Sequence, residues 1–251
     1  MALGNAQAGG ESPGGAAGTK AGSHWVQWHQ DYEDPTSRLS VRLRLAQEAI
    51  RAALGEAIAA PRRASGQPIR IVSICAGQGR DVIDVVADLG GTQLEHSDLR
   101  CLLVELDTAL CEFARHRAAE AGVDDVIEVV EGDASQARHF AAHIPADVVV
   151  VCGVFGNISD ADIHRTIECM PTWLAPGGSV VWTRHRREPD LTPTVRQWFA
   201  DAGFEEASFE SPDEFVLTVG RHRLPGDRAG QGAFDPAAQL FTFVGDGSLP
   251  A

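Results

Sequence analysis

The chain has 251 residues, 44% of them apolar, with a formal net charge of −14 and a sequence pI near 5.0. That length supports a sizeable core, while the acidic balance argues against DNA and against an anionic membrane surface as partners. Five scattered cysteines (Cys75, Cys101, Cys111, Cys152, Cys169) without a CxxC pair, no 18-residue apolar run and no secretory leader point away from zinc and from a membrane span, and towards a reducing compartment, the cytoplasm.

Residues 1–23 are rich in Gly, Ala and Ser and carry no large apolar side chain after Leu3, which predicts a disordered tail. The segment "HWVQWHQDYEDPTSRL" then brings Trp25, Trp28 and Tyr32 onto one face of a predicted helix, ended by Pro35. With His29, these rings either cover an acceptor as a lid or dock as an apolar stripe. Ser37 is placed to cap a second helix over 37–60, with Leu39, Leu43, Ala46, Ile50, Leu54 and Ile58 on one face as scaffold. Together residues 24–66 are expected to form an N-terminal helical cap, and residues 67–251 the main domain.

From residue 69 short Val/Ile-rich runs alternate with helical stretches. The predicted strands are 69–75, 101–106, 126–132, 146–153 and 178–185, and the predicted helices 80–89, 107–121, 135–142, 160–170 and 191–202. Strands apolar almost throughout are buried on both faces, so the pattern predicts an α/β doubly wound fold, a mostly parallel sheet with helices on both faces. After residue 203, "FEEASFES", "FVLTVGRHR" and "LFTFV" follow without long helices and predict an antiparallel C-terminal edge.

Chemistry concentrates at the strand ends. In "CAGQGRD" (75–81), Gly77 and Gly79 let backbone approach a ligand at the start of a helix. The dinucleotide fingerprint would need a third glycine at Val82, so a nicotinamide site is disfavoured. Glu105, 26 residues after Gly79, is placed to accept both ribose hydroxyl protons. Asp133 in "EGDAS" either accepts from an exocyclic amine, caps a helix, or does both. A second glycine-bearing loop, "CGVFGNISD", ends the fourth strand.

These residues resemble class I S-adenosylmethionine-dependent methyltransferases, from about Ile69 to Phe204. "IVSICAGQGRD" is similar to that family's first strand and loop, "VELD" to its ribose-binding stretch, "EGDAS" to its adenine-side stretch, and "WLAPGGSVVW" to the turn into strand five. The resemblance implies a seven-stranded Rossmann-like sheet and S-adenosyl-L-methionine as cofactor. It implies cofactor contacts from Ser73, Ala76, Gly77, Gly79, Arg80, Glu105, Leu106, Gly132, Asp133, Ala134, Cys152 and Gly153. Ser73 stands where the family commonly has an acid that helps hold the methionine ammonium, and Cys75 where it has the first glycine, which leaves Arg80 to reach the carboxylate.

The residues after strand four, Cys152, Gly153, Val154 and Phe155, do not match the Asn- or Asp-Pro-Pro-Tyr motif of base-amine methylation. That mismatch and the acidic charge point to a small-molecule acceptor, methylated on oxygen or nitrogen. RNA or protein methylation, or binding of the cofactor without transfer, are the alternatives. Phe155 either lines the acceptor pocket or packs in the core. Asn157 either orients the acceptor or satisfies a turn. His185, at the end of strand five, is a candidate base beside His29, or a solvated loop histidine. Arg184, with Arg186 and Arg187, either clamps an anionic acceptor or balances Glu188 and Asp190. No metal site is expected, and the sequence leaves the oligomeric state open, a homodimer being one option.

Overall fold

The computed structural model describes residues 32, 34–60, 66–89, 98–228 and 232–244. The predicted tail and the ring-bearing Trp25, Trp28 and His29 lie outside them. Helix α1 spans Arg38–Ala59, and the Ser37 hydroxyl caps it by accepting from the Ser40 amide at 3.0 Å. Then follow β1 (Ile69–Ile74), α2 (Arg80–Leu89), β2 (Leu99–Glu105), α3 (Thr108–Glu120), β3 (Ile127–Glu131), β4 (Ala146–Val151), α4 (Asp160–Cys169), β5 (Leu174–His185), α5 (Thr192–Asp201), β6 (Glu205–Glu210) and β7 (Leu217–Arg223).

The strands form one sheet in the order β3-β2-β1-β4-β5-β7-β6. The five strands from β3 to β5 run parallel, and β7 pairs antiparallel with both β5 and β6. The α/β class and the antiparallel C-terminal edge are therefore as expected. Strand order reverses between β1 and β4, which opens a crevice above their carboxyl ends.

The continuous apolar runs explain the layering. In β1, Val72 and Ile74 face one core with Phe140, Val195 and Phe199, while Ile69 and Ile71 face the other with Ile50 and Leu54 of α1 and Val82 and Ile83 of α2. Each Ile or Val enclosed this way contributes roughly 1.5–3 kcal/mol relative to exposure. α1 is thus part of the domain's own core.

Two expectations are corrected. The helix over 135–142 is replaced by two single 3-10 turns, Ala137–His139 and Ala141–His143. Gln136 is extended and bridges Gln239, so too few free residues remain to pass the costly first helical turn. "LFTFV" forms no strand; it makes one isolated antiparallel bridge, Ile158 to Phe243, and the residue before it makes another, Gln136 to Gln239. Leu240 and Phe241 are drawn into the core instead of alternating along a sheet edge.

Among the described residues no helix is long and apolar enough to cross a membrane, and no group of three or more His, Cys, Asp or Glu is placed to hold a metal ion.

Candidate functional site

The loop after β1 is shaped by three left-handed residues, Cys75 (φ 53°), Gly77 (57°) and Gly79 (67°). Gly79 is required twice over. Its φ disfavours a side chain, and a Cβ there would stand 2.7 Å from Leu103 Cδ1 and 2.8 Å from Ile83 Cδ1. Cys75 takes the same conformation with a side chain, a strained arrangement of the kind that clusters at ligand sites. Ala76 ties the loop to β2 by donating to the Val104 carbonyl at 3.0 Å.

Glu105 closes this loop from β2. Its Oε2 accepts from the Gly77 amide at 2.7 Å, and its Oε1 accepts from the amides of Leu106 and Asp107 at 2.8 and 2.9 Å. Hydrogen bonds to an ionised acceptor are the stronger kind, so the carboxylate is fixed beside the turn. The Gly132 amide donates to the Glu105 carbonyl at 2.8 Å, which joins the tips of β2 and β3. Burial pushes the Cys75 thiol far up, and the charges of Glu105 and Asp133 push it further, so both acids face one loop. Leu106, an apolar side chain at the same tip, is 67% exposed.

Asp133 is held low in pKa by its hydrogen-bond donors, against the opposing pull of burial. Its Oδ1 accepts from the Ser135 amide and hydroxyl at 3.0 and 2.6 Å, and its Oδ2 from Gln136 Nε2 at 2.9 Å. A carboxylate has about four acceptor positions, which leaves one at Oδ2. Gly132 and Ala134 do not present side-chain surface to a ligand. A Cβ on Gly132 would stand 2.6 Å from His139 Nδ1, so its space is taken by that ring, and the Ala134 methyl is buried in the core. Ser73 is also enclosed, between Leu103 and Val150 in the middle of the sheet, so its hydroxyl does not reach the crevice as expected.

Arg80 stands at the start of α2. Its Nε donates to Gln78 Oε1 at 2.6 Å, and its guanidinium lies 5.3 Å from the ring centroids of both Tyr32 and Phe113. Tyr32, expected at the acceptor, is therefore placed over Arg80 beside the glycine turn, with its hydroxyl accepting from Arg42 Nη2 at 3.1 Å.

The tips of β4 and β5 behave differently. Phe155 is fully buried, with ring centroids 5.9 Å from Trp182 and 6.3 Å from Phe199, so it is core and not pocket wall. Asn157 satisfies its own turn by donating to the Gly153 carbonyl at 2.7 Å. Arg184 folds back to donate to the Phe155 carbonyl, and burial lowers its pKa against the opposing charges of Asp160 and Asp190. His185 Nδ1 accepts from the Arg187 amide at 3.3 Å, and its ring bonds the Gly156 backbone. Burial, then the charges of Arg184 and Arg187, hold His185 below the usual histidine range. Gly153 has φ 77° and donates to Thr183 Oγ1 at 2.9 Å.

One acid escaped the sequence reading. Asp81, in the first turn of α2, shares a hydrogen bond with the Cys152 thiol, which also bonds Thr183; the charge of Arg42 opposes the effect of burial on it. Burial lifts its pKa to about 6. From sequence, an acid there is only a favourable helix-start residue; its real neighbours come from β4, β5 and α1. A cleft of about 560 Å³ lined by Glu56, Pro176, Gly177 and Arg223 opens at the opposite edge of the sheet, away from all of these groups.

Residues 18–200 match the model of a family described as "putative methyltransferase". No curated protein matches the chain. Solved structures share the fold. One described as a "putative O-methyltransferase" from Nostoc punctiforme is 17% identical, with TM-score 0.55 over 83% of this chain and 64% of that one. A possible exported protein from Bordetella parapertussis is 15% identical, with TM-score 0.55 over 74% and 68%. The glycopeptide N-methyltransferase MtfA, complexed with S-adenosyl-L-methionine, is 18% identical, with TM-score 0.51 over 72% and 94%.

Proposed function

The chain belongs to that methyltransferase family and is an S-adenosylmethionine-dependent enzyme, and we propose that it methylates an oxygen or nitrogen of a small-molecule acceptor. The observation that carries the cofactor site is Glu105, fixed against the Gly77 amide at the topological switch, with Asp133 on the next strand tip. The residues fit an adenosyl group: an acid beside a glycine turn for the ribose, a remaining acceptor position on Asp133 for an amine, and the exposed Leu106 for an apolar ring face. Arg80 is the residue assigned to the carboxylate end. Ser73 is enclosed within the sheet. When bound, the cofactor supplies a sulfonium methyl group to an acceptor held in line with it.

The chain's own work is positioning and exclusion of water. Tyr32, bonded to Arg42 and laid over Arg80, ties the N-terminal side to the first residue of α2. His185 is the candidate proton acceptor. It is neutral near pH 7 and becomes available once the Arg187 amide is released from Nδ1. The small-molecule assignment is supported by the basic stretch 184–187. Arg184 donates to the Phe155 carbonyl, and Arg186 donates to the carbonyls of Pro212 and Phe215 at 3.2 Å, so neither spreads into a phosphate-binding face. The five cysteines are free thiols, which agrees with action in a reducing cytoplasm.

Titration calorimetry with S-adenosylhomocysteine tests the cofactor site, and binding is expected. Absence of binding would sink the assignment. A panel of small amines, phenols and carboxylic acids incubated with S-adenosylmethionine tests transfer. Tight binding with no S-adenosylhomocysteine formed from any of them would indicate a binding module instead.

A further inference from the structure

The segment 232–244 lies beyond the family match, which ends at residue 200, and no role has yet been given to it. It crosses from the tip of β3 to the loop after β4. At the first end, the Ala137 amide donates to the Ala238 carbonyl at 3.1 Å and the Leu240 amide donates to the Ser135 carbonyl at 2.8 Å, around the Gln136–Gln239 bridge. At the second end, the Val244 amide donates to the Asn157 carbonyl at 2.9 Å and the Thr242 amide to Asp162 Oδ2 at 3.0 Å. Between them Leu240 and Phe241 are buried, and Arg165 of α4 donates to the Leu240 carbonyl at 2.9 Å from Nη2 and 3.2 Å from Nε.

The side chain of Gln239 is the inner link. Its Nε2 donates to Ser135 Oγ at 2.6 Å and to the Phe241 carbonyl at 2.9 Å, so both amide protons are used. Ser135 Oγ in turn donates to Asp133 Oδ1 at 2.6 Å. An amide donating into a hydroxyl leaves that hydroxyl's proton for the carboxylate, and such chains reinforce each link. The orientation of Asp133, and hence where its remaining acceptor position points, is set from a residue 106 positions away in the sequence.

We propose that residues 232–244 are a tie that fixes the cofactor-side loop at 133–137 relative to the acceptor-side loop at 153–162, with Gln239 the positioning residue for Asp133. The proposal rests on Asp133 being a cofactor contact. Gln239 touches no reacting atom; it acts through Ser135.

The test is a double-mutant cycle on the full-length chain, read by calorimetry with S-adenosylhomocysteine. Gln239→Ala raises the dissociation constant about 3- to 10-fold, the size of a lost neutral hydrogen bond. In an Asp133→Ala background the same substitution changes it less than about 2-fold, because the group it positions is gone. With an acceptor in hand, the KM for S-adenosylmethionine rises and kcat at saturating cofactor is unchanged. Gln239→Met keeps the bulk and loses both donors, so it reports the same loss if the alanine variant unfolds. Unchanged affinity in Gln239→Ala, or an equal loss in both backgrounds, overturns the tie while the functional assignment stands. A wild-type chain that binds no S-adenosylhomocysteine overturns both.

Discussion

The tips of β1 to β3 and the tips of β4 and β5 share one edge of the sheet but are built on different principles. At the first group the polar groups are held to one another in a frame built mostly nearby: the Gly77 amide, Glu105 and Asp133 bond to groups within a few residues or one strand away, and Gln239 reaches Asp133 through Ser135 as the long-range addition. At the second group the polar and aromatic side chains turn inward: Phe155 into the core, Asn157 onto its own turn, Arg184 onto a carbonyl. A half that holds an invariant cofactor is served mainly by local geometry, with one distant residue added at Asp133. A half that meets a particular acceptor depends on what long-range packing leaves open.

The largest effect that separates the halves is expected at Phe155. Its ring packs against Trp182 and Phe199, and Phe199 stacks on His222 at 4.3 Å between centroids. Phe155→Ala removes a fully buried ring and is expected to lower unfolding free energy by about 3–5 kcal/mol, measured by urea denaturation. A loss under about 1 kcal/mol would show that the ring borders open space, as a pocket wall does, and would erase the contrast drawn here.

A smaller effect, on binding, is expected at Glu105. Glu105→Ala leaves the amides of Gly77, Leu106 and Asp107 without their carboxylate and removes the ribose acceptor. S-adenosylhomocysteine affinity is expected to fall by about 1–3 kcal/mol, roughly 5- to 150-fold, by calorimetry. Glu105→Gln keeps an acceptor oxygen and is expected to lose less. If both variants bind like the wild type, the first group of tips is not the cofactor half.

How far the sequence could be read follows the same division. Strand tips β1 to β3 were legible because their signals are short in sequence: a glycine pair after an apolar run, an acid at the next strand's end, an acid before a small residue. Helix α2 was predicted over its observed span, Arg80–Leu89, because its apolar stripe is strong. What was illegible came from distant contacts. Ser73 and Phe155 lie in motif-like positions, but the direction of a side chain on a strand or turn is set by the packed layers around it. The 135–142 helix failed because Gln136 pairs with Gln239, and nothing local to residues 135–142 announces a partner from beyond residue 230.

Asp81 sits on the border between the halves, at the start of α2 but bonded to Cys152 at the end of β4, and it gives the finest test. Its carboxyl, 3.8 in the open chain, is raised to about 6, chiefly because burial penalises the charge. A carboxyl whose pKa is raised on folding makes the folded state bind more protons than the unfolded one between these values, so its stabilising contribution is present below about pH 4 and is lost as pH climbs to about 6. Asp81→Asn is neutral throughout and escapes that loss. It should raise the unfolding free energy at pH 7.5 by on the order of 1–3 kcal/mol, the size of a shift in which the opposing effects of Arg42 and the Val82 amide are already contained, and leave it nearly unchanged at pH 4, measured by urea denaturation. A gain at pH 4 as large as at pH 7.5 would mean that packing, not charge, is responsible. No gain at either pH would mean that folding does not raise the Asp81 carboxyl, and the border between the two halves would then carry no electrostatic cost.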